Sequence, residues 1–153
     1  MFLCLHIHTF HTAEKFRQKQ AKEVEGTYYT IKEALKCKKL DRVIVSTDSL
    51  RYGQIAKSFG AEVPFLRPRH LAGDKSPMAD TIIHLLNRLK EKENYEPDYL
   101  VLLQTTSPLR TGVDIENCID LALSRKCDGV VSLCSTEQLL YTIKNGFINL
   151  LYK

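Results

Sequence analysis

The chain has 153 residues, 44% of them hydrophobic and 26% charged, an ordinary balance for one soluble domain rather than two. Its formal net charge of +4 is mild and scattered; the densest basic group, Lys36, Lys38 and Lys39, reads as a solvated helix end, so a nucleic-acid partner is not expected. Five cysteines (Cys4, Cys37, Cys118, Cys127 and Cys134) form an odd set with no C-x-x-C pair, which argues against a disulfide framework or a thiolate metal site and for reduced thiols in the cytoplasm.

Met1 to Phe10 is apolar but has no basic start and no small-residue cleavage site, so it does not read as a signal peptide. No stretch approaches the ~20 apolar residues that span a bilayer, and no membrane partner is expected. His6, His8 and His11 alternate as strand residues on one face would, but no acidic or cysteine partner accompanies them, so a metal site is not the favoured reading.

From Tyr28 onward helix and strand patterns alternate. Tyr28 to Lys38 reads as a helix with Ile31, Ala34 and Leu35 on its apolar face. Arg42 to Thr47 is a β-branched run and reads as a buried strand. Asp48 and its neighbours offer N-cap oxygens for a helix running to about Phe59, and Gly60 suits the position just past its end. Ala61 to Leu66 reads as a second strand, closed by Pro64 and Pro68. Met78 to Lys92 is a long amphipathic helix, and Tyr99 to Leu103 (YLVLL) is the most continuous apolar run, expected as the central strand. Val113 to Leu123 is helical, Gly129 to Leu133 (GVVSL) reads as a further strand, and Tyr141 to Ile143 with Phe147 to Leu151 forms a hairpin turning at Asn145-Gly146. The alternation predicts an α/β fold with a mainly parallel sheet covered on both faces.

In such sheets ligands bind beyond the carboxyl ends of the strands. Three loops fall there: the one opening at Asp48, Arg67 to Pro77, and Gln104 to Arg110. In the second, Arg67 offers a planar fork for a base carbonyl or a phosphate, and backbone amides at the next helix start suit an anion. Asp74 and Ser76 fit either a ligand contact or a cap for the helix that begins near Pro77. In the third, Gln104 is an amide that donates and accepts, at the end of a strand where a polar side chain needs partners. Thr106 and Ser107 add hydroxyls and Arg110 a cation; the alternative is a plain turn with Arg110 in a structural ion pair. Neither a G-x-x-x-x-G-K-[ST] nor a G-x-G-x-x-G motif occurs, which argues against P-loop ATPase and dinucleotide chemistry.

Four segments in order carry a family resemblance: DRVIVSTDS (Asp41 to Ser49), GAEVPFLRP with LAGDKSP (Gly60 to Pro77), LLQTTSPLR (Leu102 to Arg110) and CDGVVSL (Cys127 to Leu133). Over residues 28–153 the chain resembles the acylneuraminate cytidylyltransferases. That resemblance implies a three-layer sandwich of the nucleotide-diphospho-sugar transferase type with a C-terminal hairpin. It also implies transfer of CMP from CTP to an acidic nonulosonic sugar, with pyrophosphate released and Mg2+ as cofactor. Arg67, Asp74 and Ser76 would contact the cytidine nucleotide, and Gln104, Thr106, Ser107 and Arg110 the acidic sugar. Catalytic residues and metal ligands are left unassigned.

The sequence departs from the family at three places. Residues 1–27 form an atypical segment without the family's Arg/Gly/Ser/Lys triphosphate loop, a pattern that a frameshifted or misassigned start would produce. Thr105 stands where proline is usual. The chain ends soon after the hairpin, before the segment through which members dimerise and the late aspartates that bind magnesium, so a homodimer is implied with its usual segment largely absent. The chain is therefore expected to bind cytidine nucleotide and to synthesise weakly or not at all, with a non-catalytic nucleotide-binding protein of the same fold as the alternative. Removal of Arg67 is expected to weaken cytidine binding far more than it destabilises the fold.

Overall fold

The apolar opening FLCLHI forms β1 (Phe2–Ile7), which pairs in parallel with β2 (Arg42–Ser46) on one side and β3 (Tyr99–Leu103) on the other. The computed structural model describes residues 1–7, 17–73, 75–107, 109–133, 141–144 and 147–150, with side chains described for 1–4, 24–73, 75–107 and 109–133. Register aligns the strand ends, Ile7 opposite Ser46 and His6 opposite Leu103, so the carboxyl ends share one edge of the sheet. β1, not the expected Tyr99–Leu103, is central among the described residues, and β3 lies at the edge. The apolar run in β3 packs partly buried residues on both faces, Val101 toward one cluster and Leu100 and Leu102 toward the other, with only Leu103 buried, a pattern that an edge strand between two helical layers shares with a central one. Segment 1–27, set apart on sequence grounds, contributes β1 and the first half of the first helix.

That helix, α1 (Arg17–Lys36), starts eleven residues before the expected Tyr28 and runs through Gly26. Glycine in a helix interior costs about 1 kcal/mol relative to alanine, which reads as a break. Here it has a packing role: a Cβ on Gly26 would stand 3.1 Å from the Thr105 carbonyl oxygen. Ile31 and Ala34 are buried as expected, whereas Leu35 is half exposed.

The two faces of the sheet bury separate clusters. Cys4, Val43, Val45 and Leu103 face one way, under Ile31 and Ala34 of α1, Ala56 of α2 (Leu50–Ser58), and Ile115 and Ile119 of α4 (Gly112–Arg125). Leu3 and Ile44 face the other way, under Leu85 and Leu89 of α3 (Met78–Glu93). The alternation is the two-residue period of a strand, and the outcome is the predicted α/β three-layer arrangement. The predicted hairpin is also present, β4 (Tyr141–Lys144) antiparallel to β5 (Phe147–Leu150); its Asn145-Gly146 turn lies outside the described residues.

Two expected strands are not formed. Ala61–Leu66 makes one parallel bridge, Glu62 to Ile44, and then leaves the ladder. Pro64 has no N–H to donate, although Ala61 and Val63 still reach the core. Gly129–Leu133 has no strand pairing among the described residues, and Val131 and Leu133 are 78% and 90% exposed. A β-branched run becomes a strand only where it finds an edge to pair with, and composition does not report that.

Candidate functional site

Three loops meet at the carboxyl edge of the sheet. β2 leads directly into Thr47, which is wholly buried; its hydroxyl accepts from the Ser49 N–H at 3.2 Å and its carbonyl accepts from the Arg67 N–H at 2.8 Å. Ser49, rather than Asp48, caps α2 by accepting from the Tyr52 N–H. Asp48 is thereby left to face the second loop, with Oδ1 3.9 Å from an Arg67 guanidinium nitrogen. The Arg67 side chain is fully buried. Burial pushes its pKa down, and the Asp48 carboxylate works against that shift.

The second loop folds back on itself. After Pro68 a 3-10 turn spans Arg69–Leu71, and the Ser76 hydroxyl donates to the His70 carbonyl at 3.0 Å. Ser76 does not cap α3: the cap position is Pro77, with no side-chain hydrogen bond. The loop is instead pinned from below by Thr81, whose buried hydroxyl donates to the Leu71 carbonyl at 3.4 Å. Sequence reasoning passed over Thr81; the available signal was a small hydroxyl on the buried stripe of α3, four residues before Leu85 and eight before Leu89. Asp74 lies outside the described residues.

The third loop is a turn closed by its own arginine. The Arg110 guanidinium donates to the Gln104 carbonyl at 2.9 Å and to the Ser107 carbonyl at 3.3 Å. Burial lowers its pKa, with Cys4, Asp114 and Cys118 opposing. Arg110 therefore lies behind the loop, as a cation that braces it. Gln104, Thr106 and Ser107 are exposed at its tip, and the Thr106 hydroxyl donates to the Gln104 side-chain oxygen at 3.4 Å. The exposure of Gln104 removes the desolvation problem expected for a polar group at a strand end. Its amide nitrogen stands 3.9 Å from the Met78 sulfur, at the start of α3. That contact ties the third loop to the helix that follows the second. The arrangement offers a cation-backed turn with an amide and two hydroxyls exposed at its tip, the amide and the Thr106 hydroxyl already bonded to each other, beside a loop whose arginine is fully buried.

In α1, Thr27 and Thr30 are 3% and 4% exposed, and their hydroxyls have no hydrogen-bond partner among the described residues. A groove of about 230 Å3 lies elsewhere, between α2 and residues 63–66; Leu50, Gln54, Lys57 and Phe65 line it and no residue of the second or third loop does. Among the described residues no group of three or more His, Cys, Asp or Glu is placed to hold a metal ion. The side chains of His6, His8 and His11 lie outside the described residues, as does Cys134; Cys4, Cys37, Cys118 and Cys127 are free thiols. No described helix is long and apolar enough to cross a membrane.

A family described as "Cytidylyltransferase" matches residues 27–137, which include all three loops. An N-acylneuraminate cytidylyltransferase of Escherichia coli is 41% identical over 93 residues, 61% of this chain and 21% of that protein. A CMP-N,N'-diacetyllegionaminic acid synthase of Legionella pneumophila is 36% identical over 93 residues, 61% of this chain and 40% of that protein. This chain thus spans between about a fifth and two fifths of the length of these relatives. Among solved structures, CMP:2-keto-3-deoxy-manno-octonic acid synthetase complexed with CTP superposes with a TM-score of 0.63 at 15% identity, covering 82% of this chain and 48% of that one. At that identity the likeness bears on the fold, which is of the nucleotide-sugar transferase type.

Proposed function

Because the chain belongs to the cytidylyltransferase family, we propose that it transfers CMP from CTP to an acidic nonulosonic sugar of the N-acylneuraminate class and releases pyrophosphate. The observation that carries the proposal is the opening of two loops at one sheet edge, Arg67 to Ser76 beside the end of β2 and Gln104 to Arg110 after β3, with Gln104 reaching Met78 at the start of the helix between them. The E. coli and Legionella relatives, whose names specify acidic nine-carbon sugars, support the same substrate class.

In this reading the Arg67–Ser76 loop, Asp74 included, receives the cytidine and the Gln104–Ser107 tip receives the sugar. The anomeric hydroxyl attacks the α-phosphorus, the bond to the β-phosphate oxygen breaks, and the hydroxyl proton passes to solvent. The described residues contribute by positioning both partners and by placing the Arg67 and Arg110 charges behind them. Mg2+ belongs to the proposal as counter-ion to the triphosphate, with no described residue assigned to it. The cytoplasm is the proposed location.

A second reading, nucleotide binding without turnover, is favoured by the sequence of residues 1–27, which carries no Arg/Gly/Ser/Lys triphosphate loop. Calorimetric titration with CTP and magnesium, with ATP as control, followed by an assay for CMP-sugar formation with N-acetylneuraminate, separates the two. Cytidine-selective binding with product supports transfer; selective binding without product supports the second reading; equal affinity for CTP and ATP sinks both.

A further inference from the structure

Helix α1 touches the third loop near Gly26 and the start of α4 near Glu33, on one face. At Gly26 the helix surface lies against Thr105, where a Cβ would stand 3.1 Å from the carbonyl oxygen and 3.6 Å from Thr105 Cβ. Gly112, the first residue of α4, packs equally close to α1: a Cβ there would stand 3.1 Å from the Glu33 carbonyl oxygen and 3.2 Å from Lys36 Cβ. Gly26 and Glu33 are seven residues apart, two helical turns and roughly 10 Å along the same face. Thr105 and Gly112 therefore pack against the same face of α1.

Glu33 supplies the polar link of that contact. Its Oε2 accepts the Gly112 N–H at 2.9 Å and its Oε1 accepts Lys36 Nζ at 2.5 Å, with 18% of the side chain exposed. The first amides of a helix lack partners within it, and a carboxylate suits them in both hydrogen bonding and charge. The rest of the α4 start is held by a capping box between Thr111 and Asp114. Arg110, next in line, grips the carbonyls of Gln104 and Ser107. Hydrogen bonds and two peptide links thus run without a gap from Glu33 to the tip of the loop.

We propose that Glu33 is a positioning residue for the Gln104–Ser107 loop, holding the acidic-sugar subsite in place through the Gly112 amide and Arg110. The proposal rests on the reading of that loop as the sugar subsite. Glu33 touches no substrate in it. Lys36 offsets its charge, so it adds little repulsion toward an anionic sugar.

The test uses the full chain and the variants Glu33→Ala and Glu33→Gln, compared by amide hydrogen exchange and by titration with N-acetylneuraminate. Glu33→Ala is expected to speed exchange at Gly112 and at Thr105 to Ser107 by roughly ten- to a hundredfold, leaving amides of α3 and β2 unchanged. Glu33→Gln keeps an acceptor oxygen and is expected to restore most of the protection. Sugar affinity should fall about tenfold in Glu33→Ala and recover in Glu33→Gln. Unchanged exchange at Thr105 to Ser107, or a uniform rise across the sheet, overturns the positioning role. A loosened loop with unchanged sugar affinity overturns its link to the subsite. Failure of the unaltered chain to bind the sugar counts against the assigned subsite instead, and the exchange data still decide the part played by Glu33.

Discussion

Arg67 and Asp48 are joined across the carboxyl edge of the sheet, a fully buried guanidinium facing a carboxylate 3.9 Å away that is 21% exposed. The pair ties the end of β2 to the start of the second loop, alongside the backbone bond from the Arg67 N–H to the Thr47 carbonyl. A candidate base contact is thus also part of the fold.

Asp48→Asn is expected to lower stability by about 1–3 kcal/mol. Breaking a buried pair costs about 3–5 kcal/mol when an uncompensated charge is left, and the 3.9 Å separation and partial exposure of Asp48 favour a smaller loss. CTP affinity should fall several-fold with it, because the guanidinium loses its support. Urea midpoints and calorimetry measure the two effects. An unchanged midpoint would show that the ion pair contributes nothing to stability. For Arg67 itself, complete burial adds a folding cost to the binding cost that the sequence alone suggests.

Thr30→Val should leave stability unchanged or raise it by up to about 1 kcal/mol. The Thr30 hydroxyl is buried with no partner among the described residues, and valine keeps the shape without the desolvated oxygen. Thermal melting decides this; a fall of several degrees would mean that the hydroxyl is satisfied in solution.

What was legible in the sequence was whatever a short period announces. β2, α3, α4 and the hairpin follow from alternation and helical spacing, and Gly60, at φ +95°, ends α2 as its position suggested. Long-range partnership was not legible. Gly26 reads as a helix break until Thr105 is seen against it, Asp48 reads as a cap until Arg67 arrives from 19 residues away, and Ser76 reads as a cap although its hydroxyl turns back to His70. GVVSL has the composition of a strand, yet pairing depends on an edge that local pattern does not encode.

Gly112→Ala should destabilise the chain by about 1–3 kcal/mol, since the new methyl meets the Glu33 carbonyl oxygen at 3.1 Å, a backbone atom that cannot turn aside. Gly129→Ala is the control, with nothing within 4 Å of the added Cβ. Chemical denaturation of both variants checks the contrast. Equal effects would argue that α1 and α4 are not in close contact.

Thiol labelling at pH 8 on the native chain should modify Cys118 and Cys127 before Cys4. Burial pushes the Cys4 thiol up to about 12, with Arg110 opposing and Cys37 reinforcing; Cys37 is also raised, chiefly by burial. The thiolate is the reactive species, and Cys118 and Cys127 are only partly buried. Mass-spectrometric mapping of early label reads the order; first modification at Cys4 would show that the sheet opens readily.

Glu33 also makes a pH prediction. Its pKa is lowered, first by the hydrogen bond from Lys36 and then by that from the Gly112 amide. A carboxylate depressed in the folded state stabilises the fold fully above its unfolded pKa of about 4.3, and loses that contribution as pH falls through the folded value. Asp114, lowered by its bonds from Thr111, acts in the same direction but is present in both proteins compared. The stability gap between the unaltered chain and Glu33→Gln should therefore be widest at pH 6 and shrink below about pH 4.3. Urea midpoints for both proteins from pH 6 to 3.5 trace the gap. A constant difference over that range would mean that the Glu33 charge is not what holds Gly112, and that any effect of the variant comes from packing alone.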